Sequence, residues 1–255
     1  MARRRRADIA KLILDTGVEM LVNRGLEGGC GQVGLADVLA EVERTTGERI
    51  TNASVYGRIW ANQNEFHQEL LLQAAEYYPS GEELPALECA RAIAATTDLR
   101  TEDGRRHALT EVARIAGAAH LASLKGSRRW QTWLAIWAIT VSTPSLDDDI
   151  ERGPTIGRRH EHAVRDFEKV LDEVLGRVGH RVKAGYTTGQ LANMVYALSE
   201  GFALHDRFAD DAMVRIDRRT GPGGKAQEWT MFSIGFEALL LHFTELDPGY
   251  TPILP

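Results

Sequence analysis

The side chains best placed to do chemistry lie in one short run, Thr51-Asn52-Ala53-Ser54-Val55-Tyr56-Gly57-Arg58-Ile59-Trp60. Asn52 and Ser54 can hydrogen-bond base edges or phosphates, and Ala53 is small enough for close approach or for packing on a thymine methyl. Tyr56 and Arg58 can hold phosphates, and Thr51 is a good helix N-cap because its hydroxyl can accept an orphan backbone N–H. Val55 and Ile59, four residues apart, face inward on the same helix side. A second basic feature is the terminal run Arg3, Arg4, Arg5 and Arg6. Such a run is either a solvated tail or an arm that reaches phosphates and a narrow minor groove.

Other motifs carry no chemistry. Gly29-Cys30-Gly31-Gln32-Val33-Gly34 matches a dinucleotide fingerprint in letters, but a helix precedes it where a strand is required. Gly221 to Lys225 lacks the spacing and the Ser/Thr of a phosphate loop. His160-Glu161-His162 sets its two imidazoles on different helix faces, so they cannot chelate one metal. Cys30 and Cys89 have no ligand spacing around them, which predicts neither a structural zinc site nor a disulfide scaffold. With no nucleophile elbow or metalloprotease motif either, the sequence predicts no enzyme, no metal and no cofactor.

The 255 residues carry 44% hydrophobic and 26% charged side chains, ordinary values for a globular chain. The net charge of −6 argues against a protein that coats nucleic acid indiscriminately. The longest apolar stretch, Trp133 to Val141, falls far short of the roughly 20 residues of a membrane span. Asp8, Lys11, Asp15 and Glu19 exclude a signal peptide behind the basic start. The expected setting is a reducing cytoplasm, with no membrane partner.

Apolar residues recur at spacings of three and four, and no run alternates with period two, so the predicted class is all-α. Ile9, Leu12, Ile13, Thr16, Met20 and Leu21 form one stripe that ends at Arg24-Gly25. Leu35, Val38, Leu39 and Val42 form a second, and a third helix opens at Thr51 or Asn52. Pro79-Ser80-Gly81 predicts a boundary between an N-terminal three-helix domain, 1–78, and a larger helical domain, 79–255. Within the latter, helices are expected near 84–98, 105–125, 127–142, 146–178, 188–209 and 225–246, with Gly221-Pro222-Gly223-Gly224 separating the last two.

A short helix, a connection and a second short helix with a polar start describe a helix-turn-helix, in which the second helix enters the major groove. At these residues the sequence resembles the TetR family of transcriptional regulators. Ile50-Thr51-Asn52-Ala53-Ser54-Val55-Tyr56 matches the first seven positions of that family's recognition helix in register and character. Ile59-Trp60 stands for its aromatic step, and Asn62-Gln63-Asn64-Glu65-Phe66 resembles the start of its next helix. Ile9 to Leu26 resembles the family's first helix and Leu35 to Val42 its second. Two departures stand out: the connection Glu43 to Ile50 is longer than the family's compact turn, and Gln63 replaces a phosphate-contacting lysine.

The resemblance implies a homodimer that binds a near-palindromic double-stranded operator, represses transcription and is released by a small-molecule effector. It implies DNA contacts from Arg3 to Arg6, Thr51, Asn52, Ala53, Ser54, Tyr56 and Arg58. It also implies a dimer interface made by the last two long helices, for which Leu191, Val195, Leu198 and Phe202 line one candidate face and Phe232, Phe236, Leu240 and Phe243 the other. Trp130, Trp133 and Trp137 are either core packing or the aromatic wall of an effector pocket, for which His120, Asn193 and Tyr196 are the candidate polar groups. The alternative is a helical enzyme or small-ligand carrier whose N-terminal helices are structural.

Overall fold

The computed structural model describes residues 6–25, 33–76, 84–142, 152–205 and 215–252. In chain order these form α1 (Arg6–Arg24), α2 (Leu35–Thr46), α3 (Asn52–Val55), α4 (Gln63–Glu76), α5 (Leu84–Thr96), α6 (Glu102–Glu111), a π turn (Val112–Ala116), α7 (Gly117–Gly126), α8 (Arg128–Ser142), α9 (Arg152–Arg177), β1 (His180–Val182), α10 (Thr188–His205), β2 (Ile216–Arg218), β3 (Gln227–Trp229), α11 (Met231–Phe243) and β4 (Thr244–Leu246). The chain is mostly helical, and its residues cluster into two units. One holds Met1–Pro79 with Ser127–His160, and the other holds Ser80–Gly126 with Glu161–Pro255.

The first unit grows from the three apolar stripes. Ile13, Leu21, Val38, Val42, Val55, Trp60, Phe66 and Leu70 meet in one core, so α1, α2, α3 and α4 bury their inner faces together. Gly17 on α1 lets α4 come close: a Cβ there would stand 2.8 Å from Leu70 Cδ1. The segment 127–160 joins this unit instead of the one expected from a single boundary near residue 79, because Ile136 of α8 enters the same core. Arg128 donates to the Asn23 carbonyl at 3.0 Å and Arg129 pairs with Glu19.

The second unit centres on α11. Its Phe232, Phe236, Leu240 and Phe243 are buried, as are Leu191, Val195 and Tyr196 of α10 and Val112, Ala116 and His120 of the helix that runs from Glu102 to Gly126. That helix is continuous across the π turn, where the Gly117 N–H reaches the Val112 carbonyl five residues back. Caps follow the sequence logic. Thr187 Oγ1 accepts from Gln190 N–H while Gln190 Oε1 accepts from Thr187 N–H, and Thr230 Oγ1 accepts from Ser233 N–H.

Four three-residue strands qualify the all-α expectation. β1 pairs antiparallel with β4, His180 opposite Leu246, and β2 pairs with β3, Ile216 opposite Trp229. The glycine-rich loop therefore closes a hairpin instead of releasing a helix at residue 225. Gly223 and Gly224 take φ of 66° and 76°, and Thr220 Oγ1 accepts the Trp229 indole N–H at 2.9 Å across it.

Candidate functional site

The polar run of 51–58 is presented by a compact scaffold. α2 extends to Thr46, one turn beyond the expected Val42, and stops at Gly47, whose φ is 71° and whose N–H returns to the Glu43 carbonyl. The long connection is thus an extended helix followed by the short link Gly47 to Thr51. Thr51 has extended φ/ψ and begins α3. Thr51 and Ser54 form a capping box, in which Ser54 Oγ accepts the Thr51 N–H at 3.2 Å and donates to the Thr51 carbonyl at 2.7 Å. Val55 turns inward and is fully buried, whereas Thr51, Asn52, Ala53, Ser54 and Arg58 are exposed. Arg6 is exposed at the start of α1, and Arg3, Arg4 and Arg5 lie outside the described residues.

Two groups hold this face in place. Gly57, at φ 73°, reverses the chain so that its N–H meets the Trp60 carbonyl at 2.8 Å, and the buried Trp60 stacks edge-on against Phe66 at 5.0 Å. Gln63 is the second. Its Oε1 accepts the Tyr56 hydroxyl at 2.7 Å and the Leu35 N–H at 3.4 Å, and its Nε2 meets His67 Nε2 at 2.8 Å. The same His67 nitrogen lies 3.1 Å from the Val33 carbonyl. Tyr56, expected to hold a phosphate, is half-buried and spends its hydroxyl inside the unit. Gln63 accounts for the departure from the lysine: it fastens the starts of α2 and α4 to the end of α3. Asn62 Oδ1 accepts the Glu65 N–H at 3.0 Å and fixes the α4 entry, a cap legible in the spacing Asn62-x-x-Glu65.

The six residues expected around an effector are divided between the two units. Trp130, Trp133 and Trp137 belong to the first unit, and His120, Asn193 and Tyr196 to the second. Trp130 and Trp133 are buried, with Trp133 stacked on Trp137 at 6.4 Å. Asn193 is exposed, and its amide donates to the Gly189 carbonyl of its own helix at 3.0 Å. Tyr196 packs edge-on against Phe167 at 6.3 Å, and Phe167 stacks on His120 at 5.3 Å.

His120 is the unusual member. It is 6% exposed, neither ring nitrogen has a hydrogen-bond partner, and burial pushes its pKa down to about 4. It lines an interior cavity together with Val112, Ala116, Phe167, Phe232 and Phe236. The cavity has a volume of about 20 Å³, room for about one water molecule. An open groove of about 310 Å³ also lies in this unit, but its Arg91 and Arg177 already bind Glu173, and its Arg100 binds Asp98.

The residues expected at a dimer interface divide between the unit's core and its partly exposed surface. Leu191, Val195, Phe232, Phe236, Leu240 and Phe243 are buried in the unit's own core, and Leu198 and Phe202 are half-buried. Met231, Ala238 and Leu241 of α11 and Met194 and Ala197 of α10 are exposed, while Leu198 packs beside Gly235. Met194 and Leu241 stand out, at 49% and 58% exposed.

Among the described residues no cluster of His, Cys, Asp and Glu could hold a metal, and no helix is long and apolar enough to cross a membrane. No protein-family model, curated protein or solved structure matches the chain.

Proposed function

We propose that the chain is a sequence-specific DNA-binding regulator of the TetR type, acting as a repressor in the cytoplasm. The observation that carries this reading is the exposed run Thr51 to Ser54 at the start of α3, set on a buried Val55 and followed by an exposed Arg58. α2, the link and α3 make the helix-turn-helix, and α3 is the element whose first turn meets base edges in the major groove. Asn52 and Ala53 are the base-reading residues of the proposal. Arg58 and the Arg3–Arg6 arm bind phosphates, and counterion release makes the affinity strongly salt-dependent.

The homodimer of the proposal forms through the outward faces of α10 and α11, around Met194, Met231 and Leu241, and a twofold dimer matches a near-palindromic site. A small molecule bound in the second unit shifts the population toward a form that releases DNA. The test is selection of bound duplexes from a random DNA library, followed by sequencing. An enriched near-palindrome of roughly 15–25 base pairs is expected. Well-folded protein that enriches nothing at low salt contradicts the reading and favours a helical ligand carrier.

A further inference from the structure

The open groove of the second unit gathers more positive charge than its acids neutralise. It runs from Arg91 on α5, past Arg100 in the following loop, to Arg177 at the end of α9 and Tyr250 beyond β4. Arg100 is matched within its own loop, where its Nε donates to Asp98 Oδ1 at 2.8 Å and its Nη2 to Oδ2 at 3.2 Å. Arg91 and Arg177 must share. Arg91 Nη2 at 3.2 Å, Arg177 Nε at 3.1 Å and Arg177 Nη2 at 2.8 Å all donate to the same oxygen of Glu173. Arg177, and then Arg91, hold the Glu173 carboxyl below the usual carboxylate range, so at neutral pH it supplies one negative charge against two positive ones. Arg105 reinforces the surplus: its guanidinium lies 5.6 Å from the centre of the Tyr250 ring, and its Nη1 donates to the Asp247 carbonyl at 3.3 Å.

We infer that this groove binds a small organic monoanion, an aromatic or aliphatic body carrying one carboxylate, with the carboxylate on Arg91 and the body along Leu99, Tyr250 and Pro252. Arg91 is exposed and commits one N–H to Glu173, which leaves the rest of its planar fork for a second carboxylate. One negative charge balances the surplus of the Arg91–Arg177–Glu173 group. A neutral molecule leaves that surplus standing. The body has matching walls, since Ala94, Ala95, Leu99 and Pro252 line the groove with the Tyr250 ring. That ring is fixed: its hydroxyl donates to the Arg177 carbonyl at 2.9 Å, and Gly179, at φ 71°, makes room where a Cβ would stand 2.9 Å from Tyr250 Cδ1. The volume of about 310 Å³ lies at the lower end of the roughly 300–1,000 Å³ of small-molecule sites.

The inference rests on the regulator reading for its consequence, control of DNA binding, but the binding event is measurable without DNA. Benzoate, benzamide and inorganic phosphate are titrated separately into the full-length protein, followed by NMR of the Tyr250 ring. Benzoate is expected to saturate, to move the Tyr250 signals and to bind about tenfold or more tightly than either benzamide, which lacks the charge, or phosphate, which lacks the body. In Arg91→Gln the preference for benzoate over benzamide disappears. Benzamide or phosphate binding as well as benzoate to the wild type, or no saturation by benzoate, overturns the inference whether or not the variant folds. So does a folded Arg91→Gln protein that keeps the full preference. Benzoate binding with no duplex enriched would sink the regulator reading alone, and an enriched duplex with no benzoate binding would sink the groove inference alone.

Discussion

The tip of the first unit and the interior of the second treat polar groups in opposite ways. Around α3 the internal hydrogen-bonding capacity is committed where position matters, at Ser54, Tyr56 and Gln63, while Asn52 and Arg58 are exposed to solvent. Around His120 the apolar shell is complete and the one polar group is sealed in without a partner. The first arrangement suits recognition of a large polar surface, because the side chains that meet it are already hydrated and the scaffold beneath is rigid. The second leaves an unpaired imidazole inside a shell that excludes water from its apolar walls.

The contrast can be broken most severely at Trp60. Trp60→Ala removes the buried indole under the α3–α4 link and is expected to cost about 3–5 kcal/mol. Differential scanning calorimetry should show the transition temperature falling by about 10 °C at this chain length. An unchanged transition would mean that the polar tip does not depend on that core.

His120→Leu sharpens the other side. The native pKa is about 4, below the ordinary 6.5, so the unfolded chain takes up a proton that the folded chain refuses as the pH falls from 6.5 toward 4. Stability from the neutral ring is therefore complete above 6.5 and lost toward pH 4. The leucine variant should gain on the wild type across that window, by up to about 3 kcal/mol at its acid end. Urea unfolding at pH 7, 5.5 and 4 checks this, and parallel losses in both proteins would show that the ring is not shielded.

Gln63→Ala should have a smaller effect. It leaves the Tyr56 hydroxyl and Leu35 N–H without their partner, an expected loss of about 1–3 kcal/mol by the same unfolding method. A gain in stability would mean that the network is dispensable. A change confined to the pH profile is expected at Glu200, whose carboxyl burial pushes up to about 7. A raised acid stabilises the fold fully below its unfolded value of about 4.5 and loses that contribution as the pH rises through 7. Glu200→Gln should flatten the melting temperature over that range, and an unaltered profile would place the carboxyl in water.

The helices were legible because three- and four-residue apolar spacing is a strong signal. Residues 105–125 read as one helix, and the structure gives Glu102 to Gly126, yet the π turn inside it has no signature in Val112-Ala113-Arg114-Ile115-Ala116. The strands were not legible, since three residues such as His180-Arg181-Val182 are too few to show alternation. Which face of α11 lies in the core was not legible, for a physical reason. Met231-Phe232-Ser233-Ile234-Gly235-Phe236 is apolar all round, so periodicity finds two faces and cannot say which is inward. The larger aromatic stripe buries more area per residue and went to the unit's own core, leaving Met231 and Leu241 exposed. At the tip, exposure of Asn52 and burial of Val55 followed from spacing, but the Gln63 network joins residues 28 positions apart and needed the fold.

The most direct test of the central claim is the affinity of wild type and Asn52→Ala for the selected duplex and for a scrambled duplex of equal length, at one fixed salt concentration. Asn52 is exposed and can be replaced without disturbing the core. The account predicts about a tenfold or greater loss on the selected duplex, no change on the scrambled one, and an unaltered circular dichroism spectrum. Equal affinity of both proteins for the selected duplex would contradict the assignment of α3 as the element that reads sequence.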